Sequence, residues 1–280
     1  MMNGKSLSES GLDLFLGDDG TLTLGGDLVL KGMGHKTARD MRGLLACEDE
    51  ADSDAWCYDT YRKIMRPGDG HVFEKYKMSY DITIIAPGTL GGECKKTSGH
   101  YHGWNPEHTN TYGEVYEVLS GTALFCLQKS PDFFENPEGS HVEDVIFVTV
   151  PAGKTLLVPP NYGHCSVNIG EDVLVFSNVA YAPCPVLYGA VKARHGMAYY
   201  FFRNSDGSLS YELNDRYASI GTPEPKFATV HEDPDLGIAF SQGAYLNFVE
   251  APEKFDFLPH PDAYIDRIMG LLDYGDKLAL

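Results

Sequence analysis

The chain has 280 residues and a formal net charge of −18, because 40 Asp and Glu outnumber 22 Lys and Arg. That charge argues against nucleic acid and against an anionic membrane surface as partners, since both need a basic face. The hydrophobic fraction of 43% is ample for a core and excludes global disorder. The length fits one large all-β domain or two modest domains.

Residues 1–55 predict a lead-in that packs on the main domain. Residues 1–20 lack the apolar core of a signal peptide. Residues 21–30 alternate apolar and polar side chains around Gly25-Gly26, which predicts a hairpin. Residues 37–50 lack proline and carry one glycine, and their pattern predicts a helix.

Residues 56–217 predict the main domain, an antiparallel sandwich or barrel of short strands separated by turn residues. The turn residues Asn204–Gly207 predict a further hairpin. The longest charge-free stretch, 173–191, contains two prolines and fits a strand and turn rather than a membrane helix. The predicted strands include 82–85, 114–119, 123–128, 145–150, 155–158 and 173–176.

Residues 218–280 predict a C-terminal extension rather than a second domain. Residues 220–260 are rich in Pro, Glu and Asp and are expected to wrap the surface. Residues 261–280 carry apolar side chains near helical spacing, which predicts a helix. The six cysteines lack CxxC spacing, and without a signal segment they are expected to be reduced thiols in a cytoplasm.

The clearest chemical signal is a set of four possible metal ligands in the β region. His100 and His102 stand at i and i+2, so in a strand both imidazoles point to one face. His164 follows a Pro-Pro-Asn turn, and Glu114 opens a predicted strand. Three imidazoles and one carboxylate suit a first-row divalent metal that keeps open positions for substrate. Without cysteine ligands the set does not indicate a closed structural zinc site.

Two alternatives to this ligand set stay open. Glu107 would replace Glu114 as the carboxylate, but it lies in a predicted turn, whereas Glu114 lies in a strand. The four residues would otherwise be ordinary polar residues of a β-barrel. The remaining histidines have no ligand-spaced partner and are interpreted as surface or structural residues: His35, His71, His108, His141, His195, His231 and His260.

These residues resemble the first motif of the cupin superfamily, which has a glycine, an HxH pair, a glutamate and a second glycine. His100 and His102 supply the pair, and six residues separate Glu114 from Gly121. Two departures occur, because Cys94 stands at the opening glycine and the gap from His102 to Glu114 is longer than in the general motif.

The second cupin motif runs from a glycine through PxG to a histidine and an asparagine. Gly153, Pro159, His164 and Asn168 fall in register with that motif. Asn161 stands where the motif has glycine, and asparagine also tolerates a positive φ. The resemblance implies an all-β fold with a single cupin jelly roll, flanked by N-terminal and C-terminal helices.

A closer resemblance covers residues 21–217 and points to the cupin-type phosphoglucose isomerases of archaea and bacteria. The segments that carry it are 97–102, 113–116 and 158–170. The resemblance implies interconversion of glucose 6-phosphate and fructose 6-phosphate in glycolysis and gluconeogenesis. It also implies a cytoplasmic homodimer with one divalent metal per chain, iron(II) or manganese(II) before zinc or nickel, and a sugar phosphate as the small-molecule partner.

The same resemblance implies residue roles. The family's ligands match His100, His102, Glu114 and His164, and one departure is Val186, where the family has histidine. The loop 129–144 is also longer than in the family. The pocket residues that the family implies are Tyr58, Thr83, Thr97, Gly99, Tyr116 and Tyr188.

Two mechanisms fit these residues. Glu114 would shuttle a proton between C1 and C2 as base and acid, or a hydride would shift directly with the help of the metal. The Thr97–Gly99 turn would supply donors to a phosphate. The adjacent Lys95 and Lys96 would add charge in one interpretation, but the favoured interpretation is that they lie on a solvated turn, as surface lysines usually do. Three other functions stay open: a cupin isomerase or epimerase for another sugar, a metal-dependent dioxygenase, and a non-catalytic sugar-binding cupin.

Overall fold

The computed structural model describes residues 4–278, which form mostly strands and short helices. The strands are β1 (Lys5–Ser6), β2 (Leu14–Leu16), β3 (Leu22–Leu24), β4 (Gly32–Thr37), β5 (Trp56–Arg62), β6 (Met78–Ile85), β7 (Thr89–Leu90), β8 (Glu93–Cys94), β9 (Tyr101–His102), β10 (Glu114–Ser120), β11 (Thr122–Lys129), β12 (Asp144–Pro151), β13 (Thr155–Val158), β14 (Tyr162–Asn168), β15 (Leu174–Tyr181), β16 (Val186–Leu187), β17 (Tyr199–Arg203), β18 (Leu209–Leu213), β19 (Lys226–Val230) and β20 (Leu272–Gly275). The helices are α1 (Gly70–Tyr76), α2 (Gly189–Ala193), α3 (Asp215–Ala218), α4 (Ala244–Glu250) and α5 (Ile265–Met269). Short 3-10 segments lie at Ser8–Ser10, Ala38–Met41, Glu48–Asp52, Pro67–Asp69, Pro234–Leu236, Pro252–Phe257 and Pro261–Ala263.

Two sheets form the sandwich. The first has the order β13-β10-β15-β6-β5-β4 and the second has the order β14-β11-β12-β19-β20. Neighbouring strands in both sheets are antiparallel, except for the parallel pair β12 and β19. The predicted fold class, an all-β jelly-roll sandwich, is confirmed, whereas within the described part of the N-terminal lead-in there are 3-10 segments and no α-helix.

The central strands β6, β10 and β15 of the first sheet are buried on both faces. Alternation along β10 sends Tyr116 and Val118 to the core between the sheets, and Val115 and Leu119 to a second core outside. The second core is closed by N-terminal strands and by the C-terminal segment, whose Tyr245, Phe248, Phe255, Phe257 and Leu258 are fully buried. Residues 220–260 therefore cover the outer face of the first sheet, and the apolar side chains that they bury there were not predicted from the sequence.

Two predictions for the N-terminal lead-in are wrong. The hairpin joins Leu14–Leu16 to Leu22–Leu24, one strand earlier than predicted, because the Gly17–Gly20 turn reverses the chain first. The helix predicted over 37–50 is absent from these described residues. Strand β4 runs through Thr37 and pairs with β5, and Gly43 has a φ of 75°, which interrupts helical geometry.

The C-terminal helix is shorter than predicted. Helix α5 spans Ile265–Met269, and the chain then enters β20, which pairs with β19 at the edge of the second sheet. Apolar spacing predicted one helix over the whole segment, but pairing with β19 makes residues 272–275 a strand.

The predicted central strands are confirmed. The bounds of β13 match the prediction at both ends, and the Asn204–Gly207 turn joins β17 to β18. All six cysteines are free thiols. Within residues 4–278, no helix has both the length and the apolar character that a membrane crossing requires.

Candidate metal centre

Four side chains from three separate parts of the chain meet between the sheets. His100 pairs with His164 of β14 through two backbone hydrogen bonds, with N···O distances of 3.0 and 2.9 Å. His102 lies in β9, and Glu114 is the first residue of β10. One ligand atom from each of these four residues lies within 4.8 Å of the others.

The separations fit a divalent cation. Oε2 of Glu114 lies 3.8, 3.2 and 3.3 Å from Nε2 of His100, His102 and His164, and Nε2 of His100 lies 3.2 Å from Nε2 of His102. Metal–ligand bonds of about 2.1 Å at right angles place neighbouring ligand atoms about 3.0 Å apart. The donor set of three imidazoles and a carboxylate therefore fits a first-row metal with open positions.

The protonation states also fit. Burial alone raises the pKa of Glu114, but hydrogen bonds with the three histidines hold it well below its ordinary value. Burial and the neighbouring imidazoles lower the pKa of His100 to about 3, and burial lowers that of His164. Burial opposes the charge on His102, yet contacts with Cys184 and Glu114 raise its pKa to about 10. Without a metal the site thus holds a carboxylate, two neutral imidazoles and a protonated His102. The first two are the forms that bind metals, and His102 would have to release one proton to a binding metal.

Neighbouring groups orient the ligands. Nδ1 of His102 lies 3.0 Å from the carbonyl of Tyr112, which keeps a proton on Nδ1, so Nε2 is the atom that would lose its proton and bind a metal. Tyr116 donates its hydroxyl hydrogen to Oε2 of Glu114 at 2.8 Å. Asn178 donates to Oε1 of the same carboxylate at 2.7 Å. Both oxygens of Glu114 are therefore fixed in place.

The cluster opens into a pocket of about 270 Å³, close to the lower end of the range for small-molecule sites. Nearby, the Tyr58 hydroxyl and the Ser98 hydroxyl are 2.9 Å apart. Val186, at the position where the resemblance implies histidine, also lines the pocket and pairs with His102. All six predicted pocket residues line it: Tyr58, Thr83, Thr97, Gly99, Tyr116 and Tyr188.

The cationic residues of the pocket differ from those in the phosphate hypothesis. Lys96 is buried in an ion pair with Glu93, and neither Lys95 nor Lys96 lines the pocket. Arg62 and Lys63 line it instead. The hypothesis that Lys95 and Lys96 add charge to this pocket is therefore wrong. The favoured interpretation of a solvated turn is wrong for Lys96, which is buried.

Sequence reasoning missed several pocket residues, among them Arg62, Lys63, Asp81 and Asn178, although strand alternation indicates three of these four. Arg62 shares the inward face of β5 with Tyr58, and Asp81 and Asn178 share inward faces of β6 and β15. Arg62 donates to Oδ2 of Asp81 at 3.0 Å. Lys63 has a φ of 55°, which no sequence pattern predicted. Glu107, the alternative carboxylate, is exposed and lies outside the cluster.

A jelly roll that gathers three histidines and one glutamate between its sheets is a cupin. The family model described as glucose-6-phosphate isomerase matches residues 35–217. Relatives with that name include the proteins of Thermococcus litoralis (27% identical over 161 residues, 54% of this chain and 71% of that protein) and Pyrococcus furiosus (27% over 149 residues, 50% and 68%). The chain belongs to the glucose-6-phosphate isomerase family, in its cupin-type branch.

Among solved structures, the chain is similar to an oxalate oxidase bound to glycolate, with a TM-score of 0.27, 18% identity, and coverage of 37% of this chain and 41% of that one. It is also similar to oxalate decarboxylase from Bacillus subtilis, with a TM-score of 0.29, 22% identity, and coverage of 44% and 25%. Both likenesses are low and span less than half of this chain.

Proposed function

We propose that this protein interconverts glucose 6-phosphate and fructose 6-phosphate and depends on a divalent metal for that reaction. The observation that carries the proposal is the cluster of His100, His102, Glu114 and His164, which opens into a pocket in a chain of this family. Iron(II) or manganese(II) is the metal we expect, because imidazole and carboxylate ligands suit both ions.

The four cluster residues would hold the metal, and a bound divalent cation would polarise the sugar carbonyl as a Lewis acid. The reaction moves a hydrogen between C1 and C2. Glu114 is a weak base in this setting, because its pKa is low and hydrogen bonds hold both of its oxygens. These contacts favour metal ligation by Glu114 over proton transfer, and so favour a hydride shift. Uptake of solvent deuterium at C2 during turnover would instead support the proton shuttle.

The phosphate end of the substrate needs positive charge or hydrogen-bond donors. Among the described residues, Arg62 and Lys63 are the arginine and the lysine that line the pocket. Tyr58 and Thr83 line the same pocket. The turn Thr97–Gly99 also lines the pocket and adds hydrogen-bond donors for a phosphate. Gly99 has a φ of 74°, and a glycine there lets the backbone approach an anion closely.

The test is fructose 6-phosphate turnover coupled to a dehydrogenase that detects glucose 6-phosphate, with and without a chelator. We expect activity to disappear on chelation and to return with iron(II) or manganese(II), but not with magnesium. Undetectable turnover in metal-loaded protein would remove the proposal. Oxygen consumption with a substrate panel would then test the dioxygenase alternative.

A second candidate keeps the metal and changes the sugar. Val186 favours it, because an aliphatic side chain that is 45% exposed replaces the histidine that the family resemblance implies beside the metal ligands. The isomerase assay with mannose 6-phosphate and with free aldoses separates the two candidates. A higher kcat/KM for another sugar in wild type, reversed in Val186→His, would support the second candidate.

The setting of the reaction also belongs to the proposal. We expect a homodimer in the cytoplasm that acts in glycolysis or gluconeogenesis, with no nucleic-acid or membrane partner. Light scattering of the purified protein measures the mass of the particle, and 61.6 kDa, twice the 30.8 kDa of one chain, is the expected value.

A further inference from the structure

A polar network outside the metal pocket links three distant segments of the chain. The first is the loop 103–113, which joins His102 to Glu114. The second is the turn 159–161, which precedes His164, and the third is the 3-10 segment Pro261–Ala263 of the C-terminal extension. We call it the Asn161 network, and its members are Asn105, Thr109, Asn110, Thr111, Asn161 and Asp262.

Asn161 makes three hydrogen bonds to the loop. Its Oδ1 accepts from the backbone N–H of Thr111 at 3.0 Å, and its Nδ2 donates to Oδ1 of Asn110 at 2.6 Å. Its own N–H donates to the hydroxyl of Thr111 at 2.6 Å. The side chain thus joins the segment before Glu114 to the segment before His164.

Asp262 anchors the same loop from the C-terminal extension. Its carboxylate accepts from the hydroxyl of Thr109 at 2.8 Å, from Nδ2 of Asn110 at 2.6 Å and from Nδ2 of Asn105 at 3.2 Å. Asn105 is buried, and its Oδ1 accepts from the N–H of Thr109 at 2.9 Å. These bonds lower the pKa of Asp262, so the carboxylate is charged at neutral pH.

The identity of residue 161 needs an explanation beyond its backbone. Asn161 has a φ of 73°, a conformation that glycine adopts without the strain imposed by a Cβ. The cupin motif has glycine here. Backbone geometry alone therefore favours glycine, whereas two of the three hydrogen bonds to the loop, those to the Thr111 N–H and to Asn110, require the asparagine side chain.

The network lies close to the metal ligands along the chain. Asn161 and Thr111 each stand three residues before a ligand, His164 and Glu114. The next residue of the loop, Tyr112, accepts the Nδ1 hydrogen bond of His102 through its carbonyl. A shift of the loop would therefore move the group that orients His102 and the residues that lead into Glu114.

We propose that Asn161 and Asp262 are positioning residues that hold the loop 103–113 against the His164 turn, and that the C-terminal extension thereby completes the metal site. This inference rests on the proposed metal site. Asp262 lies beyond the residues 35–217 that match the family model, so this anchor belongs to the extension and not to the matched family region.

The test compares Asn161→Gly and Asp262→Ala with wild type. Asn161→Gly keeps the positive φ and removes the side-chain bonds. We expect both variants to bind manganese(II) 10- to 100-fold more weakly, the usual effect of losing groups that orient metal ligands, measured by titration with electron paramagnetic resonance. We also expect faster amide hydrogen exchange in residues 103–113 of the metal-free protein. Asn161→Asp, which keeps the acceptor for Thr111, should recover part of the affinity.

Two control variants match these changes away from the site. Lys77→Gly places glycine at an exposed positive φ of 55° beyond α1, and Asp256→Ala removes an exposed carboxylate of the same extension. Both should bind manganese(II) like wild type. Wild-type affinity and exchange rates in Asn161→Gly would overturn the inference. Wild type that binds no manganese(II) would instead refute the metal site, while the exchange rates would still show whether the network holds the loop.

Discussion

Glu117 offers a test of the second core that does not involve the metal. It lies on the outward face of β10, opposite to the face of Glu114, and is 5% exposed. Its Oε2 accepts the N–H of Ala244, the first residue of α4, at 2.8 Å. Burial raises its pKa from 4.5 to about 7, although the Ala244 bond works against that rise. We predict that Glu117→Gln stabilises the protein at alkaline pH.

The direction follows from proton binding. Below pH 4.5 the carboxyl is protonated in both the folded and the unfolded chain, so it has no pH-dependent effect on stability. Between pH 4.5 and about 7 the unfolded chain releases the proton while the folded chain keeps it, so the free energy of unfolding falls as pH rises. A difference of about 2.5 pKa units at 1.36 kcal/mol per unit makes this loss about 3 kcal/mol, complete above pH 7.

Glutamine keeps an acceptor for the Ala244 N–H and carries no charge. Urea unfolding of wild type and Glu117→Gln, from pH 4.5 to pH 8.5 at constant metal, therefore measures the effect as a difference at each pH. We expect the variant to gain about 3 kcal/mol relative to wild type between pH 4.5 and pH 8. Glu212→Gln, at an exposed position of β18, should show no such trend. A flat difference across this range would refute the reasoning.

Three further predictions concern the pocket. Tyr116→Phe removes the 2.8 Å bond to Glu114 and should lower manganese(II) affinity or kcat by about 10- to 100-fold, measured by metal titration and by the coupled assay. His164→Ala should abolish stoichiometric metal binding, measured by elemental analysis of metal-loaded protein, because it removes one of four ligands. Arg62→Gln should raise KM for fructose 6-phosphate about tenfold or more at nearly unchanged kcat, because a charged hydrogen bond is worth about 1.5–3 kcal/mol.

Each of the three has a control. His71→Ala, at an exposed histidine of α1, should keep its metal, and stoichiometric metal in His164→Ala would contradict the ligand set. Arg42→Gln is a matched control for Arg62, since both side chains are 56% exposed and paired with one aspartate. An unchanged KM in Arg62→Gln would exclude a phosphate contact there. Wild-type metal affinity and kcat in Tyr116→Phe would show that its hydroxyl does not support Glu114.

Much of the sandwich was predictable because its strands obey a simple alternation. Along β10 every second residue faces the inner core, so Glu114 and Tyr116 had to share a face. The same rule extends to Arg62, since it stands four residues after Tyr58 on β5. Arg62 was therefore predictable from the sequence, whereas nearness to the histidines along the chain was misleading for Lys95 and Lys96, which do not line the pocket.

Other features depend on contacts that no local pattern encodes. Tyr245 and Phe248 are separated from the first sheet by many residues, and only the folded chain shows that they cover its outer face. The Asn161 network has the same origin, because Asp262 meets Asn110 across 152 residues of chain. Backbone competition explains the wrong helix, since pairing of Thr37 with Trp56 outweighs a weak helical preference.

The net charge of −18 and an anionic substrate are compatible because they act over different distances. Charges on the outer surface are screened within about 8 Å at physiological salt, so most of the acidic surplus does not reach the pocket. Inside, hydrogen bonds fix the Glu114 carboxylate beside three imidazoles, and Asp81 is paired with Arg62. A divalent metal in the ligand cluster, as proposed, together with Arg62 and Lys63 of the pocket lining, would make the local charge balance positive where the phosphate and the sugar carbonyl would bind.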